Sequence, residues 1–327
     1  MGIAMDISVI IVNWNTKNLL EQCLESLTSS LHSRSIEIIV VDNASSDGSV
    51  EMVEHCFPDV KLIRNHENLG FSKANNLGIQ QSSGRYVSLV NSDVRVLPGC
   101  LDALADHLDH NSAVGNVGPR VLNSDLTLQS SCRHFPTLWN NICSATGLAA
   151  AFKSSRFFSG EHMLFFPHDR VMAVDVLVGC FWMVRRDVFR DIGMLDESFF
   201  MYGEDVDWCR RCWNANWQIV FVPTAQAIHY RGGSSGTQVV RLAVAQQDSI
   251  VHYWSKHKSV FGVLGIKAIF LFRHAIRYLL ATLFGLFRSS ESSRSDSRIL
   301  TSSACLHALF NGSFTNLLAG EARNPTP

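Results

Sequence analysis

The chain carries almost no net charge. Its 28 Lys and Arg against 29 Asp and Glu leave a formal −1 over 327 residues, and charged residues make up only 17%. A general nucleic-acid binder needs clustered positive charge to neutralise phosphates, so that class is disfavoured. A long hydrophobic run is missing at the start: MGIAMDISVIIVNWN has no basic leader and one apolar run of six residues, Ile7–Val12. That is too short for a signal-peptide core or for the ~20 residues of a membrane span. It predicts a buried strand instead, with Met5 as an alternative start and a cytoplasmic catalytic part. No G-x-G-x-x-G follows this strand and no G-x-x-x-x-G-K-[ST] occurs anywhere, which disfavours dinucleotide dehydrogenases and P-loop enzymes. The nine cysteines form no framework of regular spacings and are odd in number, as suits a reducing compartment. Cys209 and Cys212 are the single close pair; with no second pair nearby, zinc or redox work is disfavoured.

What is present is a 46% hydrophobic chain long enough for one large domain or two. Over the first 120 residues strand-like runs alternate with helical spacings: Ile7–Val12, a helix through Leu19–Leu27 capped by Asn15 or Thr16, Ile36–Val41, a short helix Val50–His55, a strand Lys61–Arg64, a helix Lys73–Gln81, and a strand Tyr86–Val90. Such alternation predicts an α/β fold with a mostly parallel sheet. Ligands bind beyond the carboxyl ends of such strands. Asn13-Trp14-Asn15, Asp42-Asn43 and Asn91-Ser92-Asp93 fall there and together define one rim of a pocket. Residues 123–170 read as a long irregular loop or lid. Order returns with Val174–Val184, a helix opening at Asp187, and a strand Trp217–Val222 closed by Pro223; His229-Tyr230-Arg231-Gly232-Gly233 ends the globular part.

The stretch FFMYGEDVDWCRRCW concentrates acid just before an amphipathic helix. Acid at a helix start has a plain structural explanation in the exposed N–H groups and the dipole. It also suits a carboxylate that takes a proton from a reacting hydroxyl.

ISVIIVNWN, VVDNASSDGS, NLGFSKANNLGI, LVNSDV, DESFFMYGEDVDWCRR and AIHYRGGSS stand in the order found in family 2 inverting glycosyltransferases. The resemblance covers about 70% of the chain, roughly residues 6–235, and is to the rhamnosyltransferase-like branch that builds bacterial surface polysaccharides. It implies a GT-A fold, a Rossmann-like nucleotide-binding half (about 6–120) fused to an acceptor half (121–240), followed by C-terminal amphipathic helices (241–327). It further implies transfer of a sugar, with L-rhamnose from dTDP-rhamnose the leading candidate, from a nucleotide diphosphate donor to a lipid-linked or cell-surface glycan. Residue by residue, Asp93 resembles the metal-binding aspartate of the D-x-D motif, and His229 a second ligand of a divalent cation, Mg²⁺ or Mn²⁺. Asp42 and Asn13 resemble nucleoside contacts. Asn91 replaces the first aspartate of the motif and offers a hydrogen bond to ribose without charge. Gly70-Phe71-Ser72 would bring backbone amides near the diphosphate, or simply cap a helix. Asp205 matches the catalytic base of the E-D motif, Glu204 would hold acceptor or donor hydroxyls, and Asp207 would serve the helix terminus. Two rival readings remain at this stage. A processive synthase would carry Q-x-x-R-W and several spans, which are not found; a non-catalytic nucleotide-sugar or glycan-binding module would not need the Asp42, Asp93, Asp205 and His229 set.

Between Asp248 and Glu291 there is no acidic residue, while Lys256, Lys258, Lys267, Arg273, Arg277 and Arg288 are present. On a helical wheel Lys267, Arg273, His274, Arg277 and Arg288 share one arc opposite a broad apolar face. This predicts a basic amphipathic helix lying on an anionic membrane at its cytoplasmic face, or a helix packed on the protein's own core or in a homodimer interface. Ser289–Arg298 reads as a flexible break, with a further short helix beyond it.

Overall fold

The computed structural model describes residues 5–29, 32–230, 239–287 and 292–311. The strands are β1 (Ile7–Asn13), β2 (Ile36–Asp42), β3 (Lys61–Arg64), β4 (Tyr86–Asn91), β5 (Val94–Val96), β6 (Val114–Leu122), β7 (Cys132–Arg133), β8 (Met172–Ala173), β9 (Val176–Leu177), β10 (Phe181–Arg185) and β11 (Gln218–His229). The helices are α1 (Lys17–Thr28), α2 (Ser49–Cys56), α3 (Gly70–Gln80), α4 (Cys100–His110), α5 (Leu138–Thr146), α6 (Leu148–Ala151), α7 (Arg186–Ile192), α8 (Glu204–Asn214), α9 (Val239–His257), α10 (Val260–Phe287) and α11 (Ser292–Asn311).

They fall into two compact units. The first comprises Met1–Phe135, Phe166–Phe200 and Glu204–Ser234; the second comprises Pro136–Phe165, Met201–Gly203 and Ser235–Pro327. The division differs from the sequence expectation, because 136–165 joins the C-terminal helices instead of an acceptor half running from 121 to 240.

The first unit is built on a sheet of order β3-β2-β1-β4-β10-β6-β11-β5, with β8 paired to β11. β3, β2, β1 and β4 are parallel. They are nearly continuous apolar runs, as strands buried on both faces must be. Gly78 of α3 sits where a Cβ would collide with Ile10 Cγ2, so glycine there lets the helix settle onto β1. β10 then runs antiparallel to both β4 and β6. The expected strand Val174–Val184 is broken into β9 and β10 around Val178-Gly179-Cys180. β11 continues past Pro223 to His229, where the sequence suggested a stop. Its pairing to β6 shifts register between Val222 and Gln226, and that bulge accommodates the proline's missing N–H.

In the second unit α9, α10 and α11 pack on one another around Val244, Cys305 and Ala308, and α5 packs on α10. The stretch expected to be a flexible break is helical from Ser292 onward; 288–291, the Arg231-Gly232-Gly233 segment and everything after 311 lie outside the described residues. The polarity of α10 also departs from expectation. Its inward face is Ile266, Phe270, His274 and Ala281. His274 and the half-buried Arg273 therefore leave the basic arc, and burial together with Arg273 and Arg277 holds His274 down to about 4. Much of what α10 shows to solvent is apolar.

Candidate active site

Two rims meet at the carboxyl ends of β1, β2 and β4. The first rim is a closed hydrogen-bond network. Asn13, fully buried at the end of β1, donates from Nδ2 to Asp42 Oδ2 at 2.9 Å and to Ser45 Oγ at 3.0 Å. Asp42 Oδ1 accepts the Ser45 amide at 2.8 Å. Thr16 Oγ1 donates to Asn13 Oδ1 at 2.6 Å and lies 2.8 Å from Ser92 Oγ. The three polar clusters read from the sequence are thus wired together. Thr16, expected as a helix cap, makes no side-chain cap bond and serves this wiring instead. Left-handed backbone at Asn15 (φ 53°) and Ala44 (φ 61°) marks both loops as held in conformations that cost energy.

Gly70 opens α3 in a tight approach to Phe200. Its amide donates to Asn68 Oδ1 and the Phe71 amide to the Phe200 carbonyl at 2.8 Å. At φ +79° with Phe200 O 2.6 Å from a would-be Cβ, only glycine fits. The Gly70 and Phe71 amides are engaged within the protein, and glycine at 70 admits Phe200.

The second rim is assembled by the antiparallel strands. β11 pairs with β5 so that His229 stands opposite Val94, and the Tyr230 amide donates to the Asp93 carbonyl. This brings His229 Nε2 to 3.2 Å from Asp93 Oδ1, both side chains buried. On the other side of the ring Gln129 Oε1 lies 2.7 Å from Nδ1. The amide oxygen can only accept, so Nδ1 carries the proton and Nε2 is the nitrogen aimed at Asp93. Gln129 is itself held, donating to Asn123 Oδ1 and to the His229 carbonyl. Burial alone would lower the His229 pKa; the Asp93 carboxylate and the Cys180 side chain overcome it and push it up to about 10.

The break between β9 and β10 links this pair to the acid cluster. The Cys180 carbonyl accepts the Asn91 amide at 3.0 Å, and its side chain lies against His229. One residue earlier, the Gly179 amide donates to Asp205 Oδ2 at 3.3 Å. Asp205 Oδ1 accepts the Val206 amide at 2.8 Å at the start of α8. Glu204 beside it is buried, with Oε2 lacking any partner among the described residues. Burial and the adjacent Asp205 charge push its pKa up, to about 8. The environments separate two neighbouring carboxyls: Glu204 retains its proton near neutrality, and Asp205 is the one with amide donors. Asp207 takes no part. It is fully buried and pairs with Arg211 at 2.9 Å, whose other nitrogens hold the Ile192 and Met194 carbonyls.

Gln129, Thr16, Ser45 and the Gly179-Cys180 hinge were missed from sequence. Gln129 and Gly179 act through partners 100 and 26 residues away, whereas Thr16 and Ser45 bond to Asn13 and Asp42 three residues off as well as to distant groups.

A test of whether the second rim suits a divalent cation rests on its donors. Among the described residues no group of three or more His, Cys, Asp or Glu could hold a metal by itself. Asp93 and His229 converge, however, and Asn91 Oδ1 beside them is buried without a partner among the described residues. Hard cations such as Mg²⁺ are commonly held by one or two carboxylates together with substrate phosphates, so an incomplete protein set fits a metal that arrives with a diphosphate.

The strand order and the gathering of polar strand ends on one side of the sheet define an α/β fold of the GT-A kind. The model of the family described as "Glycosyl transferase family 2" matches residues 8–193, and the chain belongs to that family. It is similar to the N-acetylglucosaminyl-diphospho-decaprenol L-rhamnosyltransferase of Mycobacterium tuberculosis, 28% identical over 83% of this chain and 88% of that protein. It is similar also to the low-salt glycan biosynthesis hexosyltransferase Agl10 of Haloferax volcanii, 30% identical over 68% of this chain and 67% of that one. Among solved structures, the mannosyltransferase PcManGT from Pyrobaculum calidifontis, in complex with GDP-Man and Mn²⁺, superposes with a TM-score of 0.51 at 17% identity, covering 98% of this chain and 82% of that one. The chain is a glycosyltransferase of GT-A fold.

Proposed function

We propose that this enzyme transfers a sugar, with inversion, from a nucleotide diphosphate donor to a hydroxyl of a lipid-linked glycan; L-rhamnose from dTDP-rhamnose is the first donor to try. The observation that carries this reading is the Gly179-Cys180 break, which touches Asp205 through one residue and Asn91 and His229 through the next. A carboxylate base and a cation site so connected can act on one donor.

Asp42 and Asn13, buried and bonded to each other, fix the shape of the loops that meet the nucleoside, and Asn91 reaches the ribose. Asp93 and His229 would hold a divalent cation, Mg²⁺ or Mn²⁺, which when bound supplies Lewis-acid stabilisation of the departing diphosphate. Asp205 accepts the acceptor hydroxyl's proton as its oxygen bonds to the anomeric carbon from the face opposite the diphosphate. The bond to the diphosphate breaks, its electron pair leaving with the phosphate oxygen, and a single displacement inverts the centre. Glu204, protonated, donates a hydrogen bond to a sugar hydroxyl.

A lipid-linked acceptor stays in the bilayer. The reading therefore places the enzyme peripherally on the anionic cytoplasmic face of the membrane, consistent with the basic residues of α9 and α10. None of the described helices is long and apolar enough to cross a membrane.

Asp205→Asn tests the chemistry. Turnover is expected to fall by at least about 10²-fold, the usual contribution of a general base, while thermal stabilisation by the donor persists. Retained turnover removes Asp205 from the reaction, and EDTA is expected to stop transfer by the unaltered enzyme.

A further inference from the structure

The segment 136–165 read from sequence as part of a lid, yet it belongs to the same compact unit as the C-terminal helices. Its chemistry is unusual for a surface. Trp139, Phe152, Phe157 and Phe158 form a chain of ring contacts, with centroids 4.9 Å apart for Trp139–Phe157, 5.0 Å for Phe157–Phe158 and 5.2 Å for Phe152–Phe158. The indole N–H of Trp139 donates to the Phe157 carbonyl at 2.8 Å, which holds the cluster in shape. Despite these contacts Phe157 remains 65% exposed and Phe152 51%. Exposed Lys153 and Arg156 sit between the two phenylalanines in sequence.

The cluster is mounted on α10. Leu138, at the start of α5, lies against Gly265, where a Cβ would come within 3.0 Å of Leu138 Cδ2. The same helix turns Phe261, 84% exposed, Leu264, Phe272 and Leu279 to solvent. Contiguous apolar surface of this kind marks an interaction site. Its charge says which: exposed Lys153 and Arg156 stand between Phe152 and Phe157, and no acidic residue falls between Asp248 and Glu291. A second copy would bring like charges together, whereas an anionic bilayer offers hydrocarbon for the rings and phosphates for the cations.

We propose that the aromatic cluster of 139–158 and the outward face of α10 together form one docking surface for an anionic lipid bilayer, the rings entering the interface while Lys153 and Arg156 meet headgroups. This deepens the proposed function by naming the surface that meets the membrane. It rests on the lipid-linked acceptor only for its biological purpose.

The test reads binding by the full chain, separately from turnover. Vesicles of equal parts phosphatidylcholine and phosphatidylglycerol are expected to sediment the protein, and pure phosphatidylcholine to do so weakly. The double variant F152S/F157S is expected to lose about tenfold or more in vesicle affinity. Its melting temperature and its turnover with a short-chain, water-soluble acceptor should stay unchanged. K153E/R156E should lose binding only to the anionic vesicles, with the loss masked at high salt. Undiminished binding by F152S/F157S overturns the aromatic role. A dimer that F261D splits to monomer, together with absence of vesicle binding by the unaltered chain, assigns the face to a second copy and overturns the proposal. Failure of turnover with the soluble acceptor would count against the catalytic reading alone.

Discussion

The two rims of the active site are built on opposite principles. At the first, Asp42 has both oxygens occupied and Asn13 both ends of its amide engaged, all by neighbouring protein groups. At the second, Asn91 Oδ1 and Glu204 Oε2 are buried without partners among the described residues, and Asp93 and His229 lean on each other. Buried polar atoms left unsatisfied cost free energy. The first rim is therefore finished on folding and presents a preformed shape to a nucleoside. The second keeps unmet hydrogen-bonding capacity, which on the proposed function becomes affinity for the reacting end of the donor.

The sharpest way to break this contrast is a pair of alanine substitutions. Asn13→Ala should cost on the order of 3 kcal/mol in chemical denaturation, because it strands Asp42 and Thr16 in the interior. Asn91→Ala should change stability by no more than about 0.5 kcal/mol, as expected where no partner is lost, yet still reduce turnover. Equal stability losses would erase the distinction. A smaller effect is expected at Gln129. Removing the acceptor that fixes the His229 ring, as in Gln129→Ala, should weaken Mn²⁺ binding by about 10- to 100-fold. Titration of the ion against the donor-bound protein reads this, and Gln129→Glu, which keeps an acceptor, should restore part of it. A pH-dependent test concerns Glu204. Its folded-state pKa lies above its unfolded value, so the folded protein binds the extra proton and stability falls as pH rises from about 4.5 through about 8. Glu204→Gln should flatten that decline, raising the melting temperature at pH 8 by about 2–4 °C for each kcal/mol relieved. A parallel pH profile in both proteins would show that the carboxyl is ionised in the fold.

The first rim was the more legible in the sequence. Apolar runs that end abruptly in Asn13 and Asp42 announce parallel strands with polar ends, and such ends must gather on one side of a sheet. The acid cluster was visible too, although its meaning came from resemblance. Other features depended on distance along the chain. Gln129 faces a histidine 100 residues away, and nothing near it in sequence hints at that partner. The break at Gly179-Cys180 hides inside a continuous apolar stretch, and Pro223 looks like a terminator until the bulge opposite β6 is seen. Periodicity along α10 separated two faces correctly but had no means of telling which one turns inward.

The division of the stretch after β6 has a consequence for how such enzymes diversify. Residues up to Phe135 include Asn123 and Gln129 and are tethered to the imidazole of the reaction centre, whereas those from Pro136 to Phe165 go with the C-terminal helices. A graft from a relative that begins before Gln129 would disturb the chemistry along with everything else. On the docking surface proposed above, one that begins after Phe135 would change membrane binding and leave the Asn123–Gln129–His229 tether untouched.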